Sequence, residues 1–159
     1  MRVLGIDPGS RFTGYGVIES TGRESRHVAS GRINAESAPS FDDRLPLIYE
    51  GVERVVDRFS PDEVAIEGIF TAYNAQSTIK LGHARGVSVL AVRHREKPLA
   101  DYAPADVKKT VAGHGRASKT EVERMVKMRL NLEGDLPQDA ADALAVALCH
   151  TKQGMGHRE

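Results

Sequence analysis

Met1-Arg-Val-Leu-Gly-Ile-Asp-Pro-Gly-Ser10 is the stretch on which the fold turns. Val3, Leu4 and Ile6 make a short apolar run with a β-branched bias. Pro8-Gly9 closes it, so the segment predicts a buried strand ending in a turn. Asp7 rides at the end of that strand, a carboxylate carried to the rim of an apolar sheet. A charge there is costly unless a cation meets it.

Working outward, Thr13–Ile18 and Ser25–Ile33 predict two further strands, with a turn near Gly22. Three strands joined this closely make an antiparallel meander. Ser40 then opens a helix with Asp42 and Asp43 in its first turn. Leu45, Ile48, Tyr49, Val52, Val55, Val56 and Phe59 follow at helical spacing, and Ser60-Pro61 stops them. Glu63-Val-Ala-Ile-Glu67, followed by Gly68, repeats the first strand's pattern of a β-rich run ending in an acid. From Asn74 to about Arg95 a long helix is expected. Its Gly82 and Gly86 either pack on the sheet or meet a second copy of the chain, and the spacing does not choose. Pro98–Tyr102 is a fifth strand, and Pro104 opens a short helix through Ala112. After the Gly113-His114-Gly115 link, Ser118-Lys-Thr-Glu121 reads as a reciprocal capping box, with Val122, Met125, Val126 and Leu130 as the buried face of its helix. Pro137 begins a last helix, Gln138 to about His150. This order predicts an α/β fold: a five-stranded mixed sheet with helices on both faces, the ends of the first and fourth strands lying side by side.

The 159 residues suit one domain, expected over 1–152 with 153–159 as a frayed tail. The apolar run at the N-terminus is cut short by Asp7, unlike a signal peptide. No later run approaches the ~20 residues of a membrane span, so no membrane partner and a cytoplasmic location are expected. The lone Cys149 excludes an intrachain disulfide, fits a reducing compartment and leaves no Cys/His set for structural zinc. Net charge is zero, yet Pro104–Leu130 holds seven basic residues against three acidic ones, a local +4 balanced by −4 elsewhere. That segment reads as a solvated helical surface or as a track for an anion.

The last helix carries Pro137-Gln-Asp139-Ala-Ala-Asp142-Ala-Leu-Ala-Val-Ala-Leu148. Asp139 and Asp142 project from nearly one face, with Cβ atoms ~5–6 Å apart, on a helix otherwise apolar. Any one of these acids is explained by a salt bridge, and Asp139 also by the helix dipole. The set is not. If Asp7, Glu67, Asp139 and Asp142 converge, they must take up protons unless divalent cations bind. An all-carboxylate site selects hard ions, Mg²⁺ or Mn²⁺. Two such ions ~3.5–4 Å apart suit in-line displacement at phosphorus. No Ser/His/Asp or Cys/His arrangement competes, because Cys149 and His150 are sequence neighbours on a helix and point in different directions.

Lys119 stands in the first turn of its helix, where a cation opposes the dipole unless a phosphate sits there. With Arg116, and with Gly113 and Gly115 allowing close approach, it is the candidate phosphate-positioning site; a tolerated exposed lysine is the alternative. Phe70, just past Glu67, reads either as a stacking platform for a base or as core packing.

Gly5-Ile-Asp-Pro-Gly-Ser10 with Thr13-Gly-Tyr-Gly16, Ala65-Ile-Glu67 with Phe70, Lys80-Leu-Gly-His-Ala-Arg-Gly86, and Asp139-Ala-Ala-Asp142-Ala-Leu-Ala145 together resemble the bacterial RuvC family of Holliday junction resolvases. The resemblance runs from Arg2 to about Lys152 with the motifs in family order. It implies an RNase H-like fold, a homodimer and metal-dependent nicking of two symmetric strands at a four-way DNA junction. It implies catalytic and metal-holding roles for Asp7, Glu67, Asp139 and Asp142, DNA contacts at Lys108 and Lys119, and an aromatic at the crossover in Phe70. It also implies work alongside the RuvA–RuvB branch-migration complex. Some relatives carry Gln at Gly68 and His at Asp139; neither departure removes an oxygen ligand. Three other readings are weighed beside it: an RNase H-like nuclease acting on RNA, a phosphotransferase of actin/hexokinase type sharing Gly-Ile-Asp-x-Gly-Ser, and a junction-binding module without catalysis.

Overall fold

The computed structural model describes residues 1–69 and 74–154. Strands β1 (Arg2–Asp7), β2 (Phe12–Ser20) and β3 (Ser25–Asn34) form the antiparallel meander. Helix α1 (Phe41–Phe59) leads to β4 (Glu63–Glu67), and α2 (Ala75–His94) to β5 (Leu99–Tyr102). Helices α3 (Pro104–Ala112), α4 (Lys119–Leu130) and α5 (Gln138–Gln153) complete the chain. The sheet runs β3-β2-β1-β4-β5, with β1, β4 and β5 parallel, so the expected mixed five-stranded α/β architecture holds.

Strand alternation sorts side chains between the two faces. Leu4, Ile6, Val17, Val64 and Ile66 pack under α1 and α2. Val3, Ile18, Ala65, Ala100 and Tyr102 pack under α3, α4 and α5. The same alternation puts Gly5, Asp7 and Glu67 on the second face, toward α5.

Glycines let α5 lie almost on bare backbone. Gly5 and Gly16 are register partners, and Gly14 pairs with Asp7. A Cβ on Gly5 would collide with the Ala143 carbonyl, one on Gly14 with the Asp139 carbonyl, and one on Gly16 with the Leu144 side chain. Helix α5 meets this groove with small residues and is buried nearly all round, from Ala140 through Ala141 and from Ala143 through His150. His150, fully buried, ties it to the sheet, its Nδ1 bonded to Tyr102 Oη (2.7 Å) and its Nε2 to Glu63 Oε2 (2.5 Å).

Helix starts follow the sequence closely. Ser40, Asn74 and Ser118 cap α1, α2 and α4, each accepting from the backbone N–H three residues on. The capping box is only half made: Glu121 turns to His114 Nε2 (3.3 Å), a partner that the Gly113–Gly115 link brings within reach. Helix α5 continues past His150 to Gln153, while residues 155–159 lie outside the described residues.

Helix α2 is apolar on two sides. Ala84, Ser88, Ala91 and Val92 are buried against the domain. The opposite stripe carries Ile79 and Leu90, 61% and 48% exposed, with Gly82 and Gly86 between them. A Cβ on Gly86 would meet nothing, and one on Gly82 only Ile69 Cδ1 at 4.0 Å. The two glycines therefore do not pack on the sheet.

Candidate active site

Parallel pairing of Ile6 with Ile66 sets the ends of β1 and β4 side by side, so Asp7 and Glu67 are neighbours. The glycine groove brings the first turns of α5 down to the same level. Asp7, Glu67, Asp139 and Asp142 all line one cleft of about 300 Å³, with Lys108 of α3, Lys119 of α4 and Gln138 of α5 on its walls. The sequence expectation that the four acids converge is met.

The electrostatics are those of crowded, desolvated carboxylates. Burial drives the Asp7 carboxyl well above the usual carboxylate range, helped by the charge of Glu67 and then by Asp142 and Asp139. Glu67 is also raised by burial, opposed by its contact with the Asp7 carboxyl and raised further by the charge of Asp142. Asp142 is raised by burial, opposed by the amide of Gln138 and the charge of Lys119. Gln138 Nε2 donates to Asp142 Oδ1 (2.8 Å). Lys119 Nζ stands 4.0 Å from Asp142 Oδ2, and Arg32 Nη1 3.8 Å from Asp139 Oδ2. Both cations are rim groups, with side chains 72% and 48% exposed, and the charges of Lys119 and Lys108 also pull down on Glu67.

Among the described residues no three acid, histidine or cysteine side chains close around one point as a ready cage. Instead, Asp7 and Glu67 stand as crowded, desolvated carboxyls, both raised above the usual carboxylate range by burial and by neighbouring acids. The donor set fits hard divalent cations in kind: four carboxylates, with no His or Cys lining the cleft.

Lys108 and Lys119 both line the cleft. Arg116 is exposed in the link before α4 and does not line the cleft, so the expected phosphate group divides. Phe70 lies outside the described residues. Cys149 offers no competing nucleophile: it is buried, and burial pushes its thiol up to about 11. A larger groove of about 470 Å³, with Arg23, Arg129 and Lys152 on its walls, contains none of the four acids.

Three contributors were not evident from sequence. Gln138 stands four residues before Asp142, a spacing that could have pointed to their bond. Arg32 comes from β3, and only sheet register brings it near Asp139. Gly5, Gly14 and Gly16 stood out in the motifs, but their role as a bed for α5 needs the packing.

The sequence model of the family described as crossover junction endodeoxyribonuclease RuvC matches residues 3–150. A protein of that name from Syntrophotalea carbinolica is 50% identical over 150 residues, covering 94% of this chain and 93% of its own. One from Geobacter sulfurreducens is 48% identical over 155 residues, covering 98% and 94%. The structure of Thermus thermophilus RuvC in complex with a Holliday junction substrate superposes with a TM-score of 0.88 at 35% identity, over 96% of this chain and 94% of that one. The yeast mitochondrial Holliday junction resolvase Ydc2, 13% identical with a TM-score of 0.67 over 94% and 78% of the two chains, shares the fold.

Proposed function

The chain belongs to the RuvC family of crossover junction endodeoxyribonucleases, and from that premise we propose that the cleft of Asp7, Glu67, Asp139 and Asp142 is its catalytic centre. The protein is a divalent-metal-dependent endonuclease that resolves four-way DNA junctions in recombination and repair. This sets aside the phosphotransferase, RNA-nuclease and non-catalytic readings. The observation that carries the site assignment is the meeting of two strand ends and one helix start: four carboxylates and two lysines on one cleft.

The four acids would hold two Mg²⁺ or Mn²⁺ ions in this reading. When bound, such a pair activates water toward phosphorus and stabilises the departing oxygen. The chain's own residues do the rest. Gln138 fixes one oxygen of Asp142 and leaves the other for a ligand. Burial and mutual crowding make the charged states of Asp7 and Glu67 unfavourable on their own, and a bound dication would relieve that cost. Lys108 and Lys119 hold DNA phosphates over the cleft, Arg116 reaches the backbone farther out, and Phe70 stacks at the crossover as the family resemblance implies.

Paired nicks need two such sites at a fixed separation. The exposed stripe of Ile79, Gly82, Gly86 and Leu90 supports a two-fold contact through α2, since its glycines let backbones approach. We also read work beside RuvA–RuvB and a cytoplasmic location from the family resemblance; among the described residues no helix is long and apolar enough to cross a membrane.

The test is a four-way junction incubated with Mg²⁺ and with Mn²⁺, products being mapped to the nucleotide. Symmetric nicks in opposed strands are expected from the parent. Asp7→Asn is expected to bind the junction and leave it intact; full cleavage by that variant removes Asp7 from the chemistry.

A further inference from the structure

Arg32 stands two strands from Asp7 in one row of the sheet. Asp7 pairs with Gly14, and Gly14 with Arg32, so all three share the face on which α5 lies. Gly14 has no side chain, and the backbone of Asp139 occupies the space above it. Reading across the row, the order is Arg32, then Asp139 over Gly14, then Asp7. Lys108 and Lys119 flank the same acids from α3 and α4. The acids are thus bracketed by cations on two sides, and only one side was legible in the sequence.

The Arg32 guanidinium is braced. It lies 4.1 Å over the ring of Phe12, and its Nη1 is 3.8 Å from Asp139 Oδ2. At that length the pair is not a hydrogen bond, and with Arg32 48% exposed it contributes little to stability. Among the described residues Arg32 has no other carboxylate partner. A planar fork with several donors, held over an aromatic ring and still open to solvent, suits a phosphate taken in two bonds. Dications on the acids would weaken the pull of Asp139 on Arg32 and release those donors.

We propose that Arg32 is a DNA-phosphate contact of this chain, gripping the backbone on the β3 side of the cleft, opposite Lys108 and Lys119. The DNA strand then crosses the acids from α3 and α4 toward the β2–β3 edge. The proposal rests on the nuclease reading of the acids.

The experiment measures junction affinity over a series of salt concentrations in an Asp7→Asn background, with and without added Arg32→Ala or Arg32→Lys, thermal melts confirming that each variant folds. Arg32→Ala is expected to weaken binding several-fold and to reduce the salt slope by about one ion per protomer. Arg32→Lys is expected to keep the slope. An unchanged slope and affinity for Arg32→Ala overturns the proposal. A raised metal requirement for cleavage by Arg32→Ala in the wild-type background, with DNA binding unchanged, also overturns it, by showing that Arg32 serves Asp139 alone. Cleavage of the junction by the Asp7→Asn background itself would instead bring down the assignment of these acids as the catalytic centre, whatever Arg32 does.

Discussion

Asp7 concentrates the physical tension of the molecule. Its carboxyl is held above the unfolded value by burial and by Glu67, Asp142 and Asp139. From about pH 4 up to the folded pKa, the folded chain keeps a proton that the unfolded chain has lost. The stabilisation attached to that proton is present at low pH and disappears as pH rises through the window. At neutral pH the metal-free protein therefore sits on an electrostatic cost. Asp7→Asn removes the charge and nearly keeps the shape. In chelator it should melt higher than the parent, by a margin that widens as pH rises from mildly acid to neutral. Mg²⁺ should raise the parent's melting temperature and narrow that margin. Equal melting curves at every pH, measured calorimetrically, would show that the acids do not crowd one another. The Asp57–Arg95 pair shifts the other way and is common to both proteins, so the comparison cancels it.

The glycine groove belongs to the scale of elements. Helix α5 carries two of the four acids, and its height above the sheet decides whether they reach Asp7 and Glu67. Gly5 sets that height, since a methyl group there would strike the Ala143 carbonyl and approach the Ala147 amide. Neither obstacle is the flexible tip of a side chain. Gly5→Ala should cost about 3 kcal/mol in urea unfolding, the upper end of ordinary overpacking. The surviving folded fraction should cleave poorly, because a lifted α5 separates the acids. Gly86→Ala, in open space on the far side of α2, should leave the monomer's stability unchanged or slightly raised through helix propensity. Similar losses in the two variants would mean that α5 does not bear on the backbone.

At the scale of the whole molecule, the proposed two-fold contact through α2 would set two clefts at a fixed separation. Ile79 and Leu90 are large apolar side chains presented to solvent on one helix face, with the small Gly82 and Gly86 between them. Ile79→Asp with Leu90→Asp should convert a dimer to monomers by sedimentation while leaving the fold intact. Junction cleavage should then give single unpaired nicks rather than two in register. A dimer that survives both changes would move the two-fold contact to another face.

Much of this was readable in the chain. Strand alternation set Asp7 and Glu67 on one face, helical spacing put Asp139 and Asp142 on one side, and Ser40, Asn74 and Ser118 marked helix starts. These are local properties, fixed by a backbone that repeats every two or 3.6 residues. What the tertiary structure decided was distance between segments far apart in sequence. The turn of Glu121 toward His114, the seating of α5 on Gly5, Gly14 and Gly16, and the arrival of Arg32 beside Asp139 all depend on which surfaces meet. No repeat along the chain encodes that. It is settled by packing, where a missing Cβ in one strand sets the position of a carboxylate more than a hundred residues away.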